Sequence, residues 1–159
     1  MNIKEYIKEQ RLITDGAMGT YYEEKYSEDT VIAEKENLKN PEQIKEIHLE
    51  YLRAGARLIR TNTFAANTMF LADMQEVKET VRAGYEIAKE AVTAFQAENG
   101  KEIPVFIGAD LGPIYDLDHQ DYDNVLQEYK EICDTFLSCG ADCFVFETQS
   151  DFTYIEPVT

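Results

Sequence analysis

RLITDGAMGT (residues 11–20) is the stretch on which the reading of this chain turns. A short apolar run, Leu12 to Ile13, leads into Thr14, Asp15 and two glycines three apart, Gly16 and Gly19. This pattern predicts a buried strand that ends in a carboxylate and opens into a loop rich in free backbone amides. GxGxxG, which would mark a dinucleotide turn, is absent, and no lysine follows as in a phosphate-binding loop. Phosphate recognition is therefore not expected.

The same arrangement recurs along the chain. PEQIKEIHLEYLRAG (41–55) opens on a proline suited to a first helical turn and closes on a glycine, with Ile44, Ile47, Tyr51 and Leu52 on one face. ARLIRTNTF (56–64) follows as a strand around Leu58 to Thr61. A longer helix carries Val77, Val81, Tyr85, Ala88, Val92 and Phe95, and Gly100 ends it before the strand and loop IPVFIGADLGP (103–113). Another helix presents Tyr122, Val125, Leu126, Tyr129, Ile132, Cys133 and Phe136; DCFVFETQSD (142–151) is the fourth strand and loop. The N-terminal MNIKEYIKEQR reads as a charged amphipathic helix without the apolar centre of a signal peptide.

Four alternations of strand and helix predict parallel strands joined by right-handed crossovers. The expected fold class is α/β, either an open doubly wound sheet or the first half of a (βα)8 TIM barrel. Polar groups decide between them: Asp15, then Thr61, Asn62 and Thr63, then Asp110, then Glu147 and Thr148 follow the four strands in turn. Chemistry after every strand suits a ring of loops around one pocket at the C-terminal ends. A complete barrel takes about 250 residues. At 159 residues, residues 1–159 are expected to be a partial barrel domain of about four βα units.

A net charge of −16 argues against nucleic acid as a partner, which needs clustered cations. No apolar run approaches the about 18 residues of a membrane span, so a cytoplasmic protein is the expectation. Three cysteines without CxxC read as reduced thiols rather than a disulfide frame or a metal site. His48, on the apolar stripe of its helix, reads as a half-buried, partnered histidine, and His119 has acidic neighbours but no second histidine.

Acids beside free amides suit an amino-acid zwitterion: Asp15 and Glu147 for the ammonium, Gly16, Ala17, Met18 and Gly19 as a backbone nest for the carboxylate. Asp15 capping its own turn, and the threonine hydroxyls bonding loop backbone, are the plain structural alternatives. Glu147, at the mouth of the apolar strand CFVF, is a costly place for an idle carboxylate.

With these residues placed, the chain resembles the N-terminal half of the homocysteine S-methyltransferase family, which includes methionine synthase and betaine–homocysteine methyltransferase. DGAMGT (15–20), NPEQIKEIHLEYLRAGARLIRTNTFAAN (40–67), GADLGP (108–113) and ADCFVFETQSD (141–151) carry the resemblance. It implies that Asp15 and Gly16 to Gly19 hold the amino-acid end of homocysteine, that Glu147 meets its ammonium, and that Thr61, Asn62 and Thr63 line the pocket. Asp110 departs from the small polar residue the family places there. The family activates homocysteine on zinc held by three cysteines, here expected beyond residue 159, with no catalytic residue in this half. The resemblance implies methyl transfer from a donor to homocysteine, giving methionine, with cobalamin or methyltetrahydrofolate entering through other domains. For these residues alone it implies inactivity and possible self-association through uncovered sheet edges; a non-catalytic amino-acid-binding or half-barrel assembly module is the alternative.

Overall fold

The computed structural model describes residues 2–27, 31–100, 102–115, 121–150 and 152–159; His119 lies outside them. After the one-turn helix α3 (Glu36–Lys39), helix α4 (Pro41–Ala54) starts at Pro41 and stops at Gly55, whose φ of 112° is left-handed and open to glycine at little cost. Its inward stripe is Ile44, Ile47, His48 and Leu52. Strand β1 (Leu58–Arg60) follows. The 26-residue α5 (Met74–Asn99) is capped by Asp73, whose side chain accepts the Gln75 and Glu76 amides, and it ends at left-handed Gly100. Strand β2 (Phe106–Leu111), helix α6 (Tyr122–Ser138) and strand β3 (Phe144–Phe146) complete the repeat.

All strands are parallel and lie in chain order, β1-β2-β3. That order never reverses among the described residues, so the sheet has no switch-point crevice of the doubly wound kind. The strand expected at 11–14 is reduced to one parallel bridge, Thr14 to Leu58. Ile13 carbonyl accepts the Arg57 and Leu58 amides at 2.8 and 3.2 Å, and the Asp15 amide donates to Leu58 carbonyl at 3.0 Å. With a neighbour on one side only, this segment makes no further ladder. Nor is it buried: Ile13 is 58% exposed, which corrects the expectation of a buried first strand.

Two apolar clusters flank the sheet. Leu52, Ala56, Ile59, Ala88 and Phe95 seal α4 and α5 onto β1. Val77, Val81, Tyr85, Ala109, Leu111, Tyr129, Ile132 and Phe136 join α5 and α6 to β2. Each fully buried Leu, Ile, Val or Phe contributes about 1.5–3 kcal/mol from water exclusion. Helix α1 (Ile3–Glu9), held by a reciprocal Asn2–Glu5 capping box, sets Tyr6 edge-on to Phe106 at 5.4 Å. Because Phe106 begins β2, α1 sits at the end of the sheet opposite the polar loops. The last strand stays open, with Phe144, Val145 and Phe146 only half-buried.

Candidate functional site

Asp15 leaves the Thr14 bridge almost buried, at 9% exposure. One carboxylate oxygen, Oδ2, accepts the Arg60 backbone N–H at 2.8 Å; the other, Oδ1, accepts Arg60 Nε at 2.8 Å. The guanidinium continues to Glu147 through Nη1 and to the Gly16 carbonyl through Nη2 at 2.9 Å. Arg60 thus ties the loops after three strand segments together. Burial raises the Asp15 carboxyl above its ordinary value, and Arg60 only partly opposes this. Burial works against the Arg60 charge too, but the two carboxylates more than offset it and raise its pKa.

The glycine segment is not a nest. Among the described residues positive φ occurs at Gly55, Gly100, Gly140 and Thr148, not at Gly16 or Gly19. Instead Gly19 opens helix α2 (Gly19–Tyr26), with Met18 before it and no side-chain cap. The amides on offer are those of an uncapped helix N-terminus. Gly16 is favoured by proximity: a Cβ there would lie 2.8 Å from the Tyr51 hydroxyl, which donates to the Ala17 carbonyl at 2.8 Å.

Thr61, Asn62 and Thr63 are all buried, and the threonine hydroxyls and the Asn62 amide nitrogen are spent within the protein. Thr61 and Thr63 hydroxyls are 2.6 Å apart; Thr63 donates to the Asp110 carbonyl at 2.7 Å, and the Asp110 amide donates to Thr61 Oγ1 at 3.0 Å. Asn62 donates to the Ala33 carbonyl and Asn37 Oδ1, and Asn37 returns a bond to the Asn62 carbonyl. These residues frame the cleft by fixing its loops.

Together the segments enclose a cleft of about 320 Å³, lined by Asp15, Gly16, Ala17, Met18, Gly19, Thr61, Asn62, Thr63 and Glu147, all anticipated from sequence, and also by Thr20, Glu34, Arg60, Phe64 and Asp110. Arg60 and Glu34 were missed. A signal for Arg60 existed: a cation at the end of an apolar strand, flanked by neighbouring strands that each end in an acid. Glu34 is buried and accepts the Ala65 amide at 2.8 Å. Asp110, at the end of the central strand, is 3% exposed, and its Oδ1 has no hydrogen-bond partner. Burial, then the Glu147 charge, push its carboxyl up to about 8.

The cysteines stand apart from this cleft. Cys133 is buried on α6, its thiol pushed up to about 11 by burial, and Cys139 and Cys143 flank the turn before β3. Among the described residues no group of three His, Cys, Asp or Glu side chains could hold a metal ion. No described helix is long and apolar enough to cross a membrane. His48 is fully buried with neither ring nitrogen hydrogen-bonded, which corrects the partnered, half-buried expectation.

Parallel βα units with a polar cleft over the strand ends define an α/β protein of the kind that gathers its site on the C-terminal side of the sheet. Residues 12–158 match the homocysteine S-methyltransferase family, and the chain belongs to it. It is 30% identical over 165 residues to a homocysteine S-methyltransferase of Escherichia coli K12, covering 94% of this chain and 53% of that protein. Methionine synthase of Mycobacterium leprae is 27% identical over 169 residues, covering 98% of this chain and 14% of its own length. The chain therefore spans about half, or less, of these relatives. The oxidised form of the homocysteine methyltransferase MmuM from Escherichia coli superposes with a TM-score of 0.83 at 26% identity, over 97% of this chain and 59% of that one. Its metallated form gives 0.79 at 27% identity, over 94% and 58%.

Proposed function

We propose that residues 1–159 form the substrate-holding half of a (βα)8 homocysteine S-methyltransferase domain, whose complete form moves a methyl group from a donor to the thiol of homocysteine and yields methionine. The observation that carries this reading is the convergence of acids from successive strand ends on one cleft beside the α2 N-terminus. Arg60 offsets one carboxylate and leaves the cleft acidic, as an ammonium requires. The first residues of uncapped α2, Gly19 and Thr20, line the same cleft, and free amides there suit the substrate carboxylate. Asp15 and Glu147 orient the amino-acid end so that the thiol is presented to the donor.

The three cysteines of this chain do not match the family's zinc set in place or grouping, so the residues here account for holding and orienting the substrate alone. Zinc, the methyl donor and any cobalamin or folate module belong, on this reading, to further parts of a longer parent. The half-exposed β3 and the exposed Ile13 are the edges against which remaining strands, or a second copy of this chain, would pack. Three unpaired cysteines fit a reducing, cytoplasmic setting.

The test is calorimetric titration of the chain with L-homocysteine, beside an assay for methionine formation. Saturable binding that is lost in Asp15→Ala and Glu147→Ala, without turnover by the isolated chain, is expected. Unchanged binding in both variants, or turnover without added protein, would overturn this assignment. A monomer in sedimentation would count against self-association.

A further inference from the structure

Of the acids in the cleft, Asp110 is the one with a buried carboxyl oxygen left unbonded. Asp15 uses both oxygens on Arg60, and Glu147 shares the same guanidinium. Glu34 is tied to the Ala65 amide. Asp110 has its backbone clamped on both sides by Thr61 and Thr63, so its Cα is fixed at the strand end. Yet Oδ1 is buried without a partner, in a residue that lines the cleft. Leaving a buried carboxyl oxygen unbonded is costly, and the cost is recovered when a donor arrives.

We infer that Asp110, together with Glu147, is the acceptor for the ligand's primary ammonium, while Asp15 serves to hold Arg60 in position. This assignment rests on the amino-acid reading of the cleft and names the residue that recognises the amine. The groups facing Asp110 are Glu147 beyond β3, Arg60 on β1 and Asp15 beyond the Thr14 bridge, with Glu34 across the cleft. Two nearby carboxylates and burial outweigh the single cation, so the free protein keeps a proton on Asp110 near neutrality. Protonated, the carboxyl can donate to Glu147 beside it. When R–NH3+ enters, that proton leaves to solvent and an Asp110 carboxylate–ammonium contact forms. Ligand binding is thereby coupled to release of one proton, and affinity falls about tenfold per pH unit below the carboxyl's own titration.

The experiment is calorimetric titration of the whole chain at pH 6, 7 and 8, in buffers of different ionisation heat. The probes are L-homocysteine, 3-mercaptopropylamine, which lacks the carboxylate, and 4-mercaptobutanoate, which lacks the ammonium. Wild type is compared with Asp110→Asn and Asp110→Ser, whose folding is checked by thermal melting. Expected are release of close to one proton per bound amine at pH 6, an affinity gain from pH 6 to 8, and a loss of about tenfold or more in both variants. Binding of 4-mercaptobutanoate should be unchanged by either substitution. Homocysteine binding with no proton release and no dependence on Asp110 overturns this inference and leaves the amino-acid reading standing. Equal loss of 4-mercaptobutanoate binding also overturns it, because Asp110 would then act only through structure. Asp110-dependent binding of 3-mercaptopropylamine without any binding of homocysteine upholds the ammonium site and removes the amino-acid reading. Binding of no probe by wild type removes both.

Discussion

Asp15 and Arg60 meet twice: one carboxylate oxygen takes the arginine's backbone amide, the other its side-chain Nε, both at 2.8 Å. A single residue pair thus fixes the strand-end geometry and neutralises a nearly buried charge. Removing the cation leaves Asp15 and Glu147 facing each other uncompensated. Arg60→Gln is expected to cost about 3 kcal/mol in urea unfolding. The Asp15→Asn, Arg60→Gln double variant should lose less than the sum of the two single changes, since the Asp15–Arg60 pairing can be lost only once, while the loss of the Arg60–Glu147 contact is common to the double variant and Arg60→Gln.

His48 predicts a pH dependence. Burial lowers its pKa to about 4 from 6.5, so the unfolded chain binds a proton more readily than the folded one between those values. Its contribution is fully present above pH 6.5 and is lost as pH falls towards 4, amounting to about 3 kcal/mol across the window. His48→Leu should flatten that part of the stability–pH curve relative to wild type. It should not destabilise at pH 7, because it removes two unbonded buried ring nitrogens.

Two glycines should respond differently to alanine. At Gly112 a Cβ would lie 2.4 Å from the Phe64 carbonyl oxygen, a backbone atom already receiving the Gly112 amide at 3.0 Å. At Gly16 the obstacle is the tip of the Tyr51 ring. Gly112→Ala is expected to cost about 3 kcal/mol and Gly16→Ala about 1 kcal/mol. Thermal melts of the two variants check the order; a smaller loss for Gly112→Ala would contradict it.

Thr148 follows Glu147 with φ of 58°, a left-handed conformation that β-branched residues adopt at a penalty. Thr148→Asn should raise stability by up to about 1 kcal/mol. Because the Glu147 amide is held by the Leu111 carbonyl at 3.0 Å, the affinity for homocysteine proposed above should hardly change. A large loss of affinity would place Thr148 itself in the recognition of the ligand.

Much of this was legible beforehand because the local signals agree. Pro41 and Gly55, Asp73 and Gly100, and the apolar stripes between them mark helices that tertiary packing leaves intact. Legible too were the strand-end acids, since a parallel sheet leaves polar groups after apolar strands few other places to go. What escaped depends on neighbours distant in sequence. Residues 11–14 look like a strand, but pairing on one side gives only the Thr14 bridge. The glycines of DGAMGT suggest a flexible nest, whereas the Tyr51 ring and α2 take up that segment. That the hydroxyls of Thr61 and Thr63 bond loop backbone was an open alternative and is the arrangement found; what escaped was the partner, the Asp110 backbone 47 to 49 residues away.

Strands that lie side by side in chain order have a consequence for biosynthesis. Each new strand, as it leaves the ribosome, finds its pairing edge on the strand completed just before, and the intervening helix arrives in time to cover both. Among the described strands none has to be threaded between finished neighbours, so the sheet can lengthen in the direction of translation. Each pairing still closes a loop that holds a whole helix, Leu58 to Phe106 and then Ala109 to Phe144, so closure within each unit sets the pace.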